Sequence, residues 1–169
     1  MRRLLAAVLA CFPLYASASA SSTVGATIAE LWRASSHAPG VAADVERLQS
    51  LFRSDAMVAG GRYQDGKPVF DTIKAADFIA GQRQPRPHGF YECEVLREVK
   101  QYDRFATVYS VVETRRDPGA AKADYTGVNS IQLYRDEDGW KIVSLFYHVD
   151  KPGMPVPLEG GKTGACLGA

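Results

Sequence analysis

The sequence holds only three cysteines and three histidines, and no Cys-x-x-Cys pair. His37, His88 and His148 are scattered along it, so a metal site would have to be gathered from remote segments; neither a metal nor a cofactor is expected. No excess of one charge exists either. Twenty basic residues against 19 acidic ones give a formal charge of +1, which leaves no basic surface to grip phosphates and argues against nucleic acid as a partner. Beyond residues 1–20 no apolar run is long enough to cross a bilayer, so no membrane association is expected once that segment is removed. No internal repeat and no second domain are visible in the remainder, which is long enough to bury a core without help from metals.

What is present at the start sets the compartment. A basic "MRR", a short apolar stretch and small residues at Ala18 and Ala20 are the layout of a secretory signal peptide over residues 1–20, cut after Ala20 or, as second choice, after Ala18. "VLAC" loosely resembles a lipoprotein processing site, but Cys11 comes early and Leu9 fits that pattern poorly. The expected location is therefore periplasmic or secreted. An oxidising space would permit Cys93 and Cys166 to pair. Cys166 lies in "EGGKTGACLGA", part of a Pro/Gly-rich tail over residues 153–169 that reads as mobile, so the pairing stays open at this point.

The body of the chain, residues 21–152, reads as helices first and sheet afterwards. "ATIAELWRAS" sets Ile28, Leu31, Trp32 and Ser35 at helical spacing behind a cap at Ser22 or Thr23, and Pro39 with Gly40 ends it. "VAADVERLQSLF" repeats the pattern with Val41, Val45, Leu48 and Phe52 on one stripe. "AMVAGGRY" and "KPVFDTI" are short strands about the turn "QDG", and "KAADFIAGQR" is a third helix that stops before Pro85. Strands follow near 89–101, 105–115, 125–134 and 139–149, joined by loops too short to cross over a sheet. The fold class is α+β, with helices closing one face of an antiparallel sheet.

The segment "GVNSIQLYRDEDGWKIVSLFYH" carries Asn129, Ser144 and His148 among apolar residues. If "DEDG" closes a regular hairpin with Arg135 facing Trp140, then Leu133 lies opposite Ile142, Ile131 opposite Ser144, Asn129 opposite Phe146 and Gly127 opposite His148. All of these then share one face, apolar near the turn and polar away from it, as a pocket requires. The other face carries Tyr134, Gln132, Ser130, Lys141 and Tyr147, a polar set. A slip of one residue would exchange the two faces.

The segments "DVERLQSLFRSDAMVAGG", "KAADFIA" and "GVNSIQLYRDEDGWKIVSL", in that order, resemble the nuclear transport factor 2-like superfamily, which includes polyketide cyclases and ketosteroid isomerases. The resemblance implies a cone in which a strongly curved sheet wraps around the helices and leaves an apolar cavity at its open end. Fold alone assigns no chemistry. Against the ketosteroid isomerases, the position of the catalytic carboxylate falls at Gly60, which cannot take a proton. Their protonated acid falls on Asn129, whose amide can still donate, and their oxyanion tyrosine falls near Leu31 or Trp32.

Two functions remain. In the first, the cone binds a small apolar molecule or a partner, with Asn129, Ser144, Trp32, Phe52, Tyr109 and Phe146 as contact residues. In the second, a lyase, isomerase or cyclase uses His148 as base, oriented by Asp71, Asp150 or Glu113, and Asn129 as hydrogen-bond donor. Plainer roles compete: Asn129 as a structural hydrogen bonder, Ser144 as a small residue beneath Trp32 or Phe52, and Trp140 with the other aromatics as core or cavity wall. For Glu113 the plain role is a solvated ion pair with Arg115 or Arg116. A homodimer through the outer sheet face, itself polar on this register, is the remaining partner expectation.

Overall fold

The computed structural model describes residues 23–168. The expected signal peptide, its cleavage points, the "VLAC" site and the Ser22 cap lie outside them. Helix α1, Val24–Ser35, starts where Thr23 turns extended and its Oγ1 accepts the Ala26 N–H at 3.1 Å. Replacing that cap by alanine should cost about 1 kcal/mol. Its stripe of Val24, Ile28, Leu31 and Trp32 is buried, and sealing a side chain such as Leu31 contributes roughly 2 kcal/mol.

The second helix is shorter than its periodicity suggests. Asp44 accepts the Arg47 N–H at 2.9 Å and caps α2 at Val45–Leu51, so Val41 stays outside, 52% exposed. Phe52 is already the first residue of strand β1, Phe52–Gln64, which pairs with β2, Lys67–Lys74. Their two-residue turn puts Asp65 and Gly66 at φ 51° and 73°, the backbone that matches the right-handed twist of a hairpin. Helix α3, Ala75–Ala80, follows and stops at Gly81.

Four longer strands complete the chain: β3 Tyr91–Tyr102, β4 Phe105–Arg115, β5 Tyr125–Asp136 and β6 Gly139–Val149. One six-stranded, curved sheet results, in the order β2-β1-β6-β5-β4-β3. It is not wholly antiparallel as expected: β1 runs parallel to β6. The chain between those two strands spans most of the domain, so no hairpin fixes their relative direction. The three helices lie on the inner face, over a core that includes Ile28, Leu31, Leu48, Ile131, Leu133 and Ile142.

Two bulges decide which side chains face which way. In β6, Leu133 still faces Ile142, but Gln132 faces Ser144, so Val143 is an extra residue and the alternation reverses beyond it. In β3, Val95 is the extra residue between the pairs Glu94–Val112 and Leu96–Val111.

The tail after β6 folds back onto the sheet. A disulfide joins Cys93 to Cys166, the Gly164 N–H donates to the Glu113 carboxylate at 2.9 Å, and the Leu167 N–H to the Glu94 carbonyl at 2.7 Å. Val156 and Leu158 pack on Cys93, Val95 and Val111, so the outer face of β3 and β4 is a second, smaller core. Elsewhere the outer face is less polar than expected, with Phe70, Tyr109, Tyr134 and Phe146 exposed. Among the described residues no helix is long and apolar enough to cross a membrane.

Candidate functional site

The bulge at Val143 divides the residues that the regular hairpin grouped. Asn129 faces inward, opposite Tyr147, whereas Ser144 pairs with Gln132, Phe146 with Ser130 and His148 with Val128, on the outer face. Ser144 donates its hydroxyl to the Gln132 amide oxygen at 2.9 Å, and Phe146, 44% exposed, makes an edge contact with Phe70. His148 donates from Nδ1 to the Val149 carbonyl at 2.8 Å and meets the ring of Tyr63 edge-on. The carboxylates expected to orient it have other partners: Asp71 binds Arg62, Asp150 accepts the Thr126 N–H, and Glu113 pairs with Arg115. Tyr109 is also on the outer face, 39% exposed, and Phe52 is in the core. Of the expected contact residues, Trp32 and Asn129 line the inner cavity.

That cavity has a volume of about 310 Å³ and opens where β3 and β5 begin and β4 and β6 end. Leu31, Trp32, Phe78, Val112, Leu145 and Val149 supply apolar walls. Polar groups arrive in rows set by the strand register. One row runs Glu92, Thr114, Tyr125 across β3, β4 and β5. Another is formed by Asn129 and Tyr147, with the Asn129 amide donating to the carbonyl of its buried neighbour Ser110 at 3.3 Å. Between them on β5 stands Gly127, where a Cβ would meet nothing nearer than the His148 carbonyl at 3.7 Å. A side chain would fit the backbone there, and its absence leaves the space between the two polar rows open.

Glu92 was not singled out by the sequence, yet it is the only carboxylate lining this cavity among the described residues. The Thr114 hydroxyl donates to its Oε1 at 2.6 Å, and among the described residues no side chain donates to Oε2. Ser36 Oγ accepts its backbone N–H at 3.0 Å, and His37 and Phe90 exchange backbone hydrogen bonds next to it, so the start of β3 is stapled to the end of α1. Burial without a cation raises the Glu92 carboxyl to about 7, despite the Thr114 hydroxyl, which favours the ionised form. Burial and the nearby Glu92 likewise push the Tyr125 phenol up. Trp32 adds an indole N–H that is buried and has no acceptor among the described residues. No three metal-ligating side chains gather among the described residues.

Helices laid across the inner face of a curved, six-stranded sheet, with a cavity at the open end between them, make the cone that the resemblance implied. The architecture is similar to that of nuclear transport factor 2-like proteins. No family model matches the chain, and curated proteins give no sequence match. Solved structures to which it is similar include a nuclear transport factor 2-like protein of unknown function from Shewanella baltica OS155. That match has 16% identity and a TM-score of 0.49, covering 74% of this chain and 89% of that one. Another such protein, from Methylobacillus flagellatus KT, matches at 16% identity and TM-score 0.49 over 79% of this chain and 98% of its own. A third, from Silicibacter pomeroyi DSS-3, matches at 16% identity and TM-score 0.48 over 74% and 91%.

In this cone, the place assigned by resemblance to an isomerase's base is filled. Gly60 pairs with Tyr147, and a Cβ on it would stand 2.4 Å from the Tyr147 ring. Its neighbour Gly61 does the same for His148 on the outer face, at 2.7 Å. The two glycines admit two rings of β6 on opposite faces. A carboxylate at residue 60 would displace Tyr147 rather than enter an empty site.

Proposed function

We propose that the protein binds a small, largely apolar molecule in the cavity of its cone, outside the cytoplasm. The observation that carries this reading is the cavity itself: about 310 Å³, apolar on most of its wall, with two rows of polar groups on its strands and Gly127 keeping the space between them clear. Export rests on the signal-peptide layout of the first residues, and the Cys93–Cys166 bridge supports it because such bridges persist in oxidising compartments. His148 gives no support to catalysis from where it stands, since it faces away from the cavity. A second copy of the chain on the outer face is a further partner we propose, favoured by the exposed Phe70 and Phe146. Light scattering of Phe146→Asp against the unmodified protein checks it, and an unchanged monomer in both would rule it out.

The cavity reading is tested with 2-ethylnaphthalene, a hydrocarbon of suitable size, followed through quenching of Trp32 fluorescence. Saturable quenching that disappears in Gly127→Leu is expected. Quenching equal in both proteins, or none in either, would contradict the reading.

A further inference from the structure

We propose that Glu92, while protonated, selects what enters the cavity: a small neutral molecule with a carbonyl oxygen, held by the Glu92 O–H and released when the carboxyl ionises. This rests on the cavity-binding reading above and adds the chemistry of the ligand to it.

The geometry carries the inference. Oε1 is occupied by the Thr114 hydroxyl, while Oε2 receives no donor among the described residues and is not sealed away. A carboxyl so placed offers the cavity either an O–H or a bare negative charge. Which one it offers depends on its neighbours. Arg86, from the chain after α3, and His37, just beyond α1, line the same cavity, but neither forms an ion pair with Glu92. The His37 Nδ1–H is directed at the Ala38 carbonyl. From β5 the neighbour is the Tyr125 phenol, next to Asp124 and Arg116, where the Arg116 backbone N–H is bound to the Asp124 carboxylate. From β4 it is the neutral Thr114. The other polar lining groups, Ser35, Gln82, Asn129 and Tyr147, carry no positive charge, so the charged form has no cation to compensate it and the neutral form persists toward neutral pH, in line with the raised titration of this group.

Neutral Glu92 donates to a carbonyl oxygen. Ionised Glu92 presents lone pairs to the ligand's lone pairs and draws water into the cavity. Affinity for a ketone should therefore be greatest in mildly acidic solution and fall as pH rises through the titration. If only the protonated form binds, the apparent affinity drops about tenfold from pH 6 to pH 8.

The experiment compares 2-acetylnaphthalene with 2-ethylnaphthalene, which has the same ring system and no carbonyl, by Trp32 quenching between pH 5.5 and 8.5. The inference expects the ketone's affinity to fall about tenfold over two units, with the hydrocarbon's unchanged. Glu92→Gln, whose amide donates at every pH, should hold the ketone with an affinity that no longer varies. Glu92→Leu should bind the two probes alike. If the hydrocarbon binds while the ketone shows no pH dependence, or if Glu92→Gln retains that dependence, the inference fails and the cavity reading stands. If neither probe binds at any pH, the cavity reading fails, and the inference fails with it.

Discussion

Two glutamates, Glu113 buried and Glu92 half-buried at the cavity mouth, stand on neighbouring strands, one residue out of register, and the fold treats them oppositely. Glu113 pairs across the sheet with Cys93, on the outer face, and its carboxylate receives the Arg115 guanidinium at 2.8 Å and the Gly164 N–H at 2.9 Å. Glu92 pairs with Thr114, on the inner face, and receives one neutral hydroxyl. The first is compensated by a full charge and a backbone donor and closes a structural seam under the tail. The second is left uncompensated at the mouth of a cavity. A buried acid with a cation is architecture; one without is available to a ligand.

The largest effect is expected on the outer face. Glu113→Gln leaves the Arg115 guanidinium, whose side chain is 8% exposed, without its countercharge, and should cost about 3 to 5 kcal/mol. A melting point lowered by many degrees, at any pH near neutrality, is the expected outcome in thermal unfolding. The expected solvated ion pair at this position would have cost under about 1 kcal/mol, so the measurement separates the two descriptions.

Cutting the strap is next in size. Cys166→Ser opens a bridge with a sequence separation of 73 residues, for which chain entropy alone gives roughly 4 kcal/mol as an upper figure. Faster hydrogen exchange should appear at Gly164 and Leu167 and along the outer face of β3, while the probes of the cavity bind as before. Loss of cavity binding in this variant would show that the two faces are not independent.

The inner glutamate gives a smaller effect of opposite sign. Its folded value of about 7 lies above the ordinary value of 4.5 that it recovers on unfolding. Between those values the native state binds more protons than the unfolded chain, so this group's contribution makes stability fall as pH rises from about 4.5 to 7 and stay level above. Glu92→Gln should therefore be more stable than the unmodified protein at pH 8, by on the order of 2 to 3 kcal/mol, and nearly equal to it at pH 4.5. Chemical denaturation at the two pH values checks the sign.

Smallest of all, Gly127→Leu should change stability by less than about 1 kcal/mol, since the backbone there has room for a side chain, while removing ligand binding by filling the cavity.

The elements of this fold were legible because their signals are local. Thr23 caps a helix where its side chain can reach, "QDG" turns where a positive φ is needed, and every strand was found within a few residues of its place, whereas the cap at Asp44 was missed and the second helix begun too early. The faces were less legible. Nothing in "WKIVSLF" marks Val143 as an extra residue, yet that one residue sends Ser144, Phe146 and His148 outward and brings Leu145 and Tyr147 in. Glu92 was hidden for a related reason. In "YECEVL" the apolar Cys93 and Val95 suggest the face toward the helices, but they are apolar because the tail covers them, and the glutamates between them face inward. The pattern of a strand shows which side is covered, not what covers it. Glu94 is paired there with Arg97 and Ser110, so even the inward position does not single out Glu92; its lack of a cation does, and that is visible only in three dimensions.

Glu92 is the point on which the whole account turns, and its protonation can be observed directly. A carbon-detected NMR titration of the side-chain carboxyls, with Glu92→Gln used to assign the resonance, reports the midpoint of this one group in the folded protein. The account predicts a Glu92 midpoint near the expected value of about 7, moving upward when 2-acetylnaphthalene is bound, because the ligand favours the protonated form. A midpoint in the ordinary carboxylate range near 4.5, unmoved by the ketone, would contradict it.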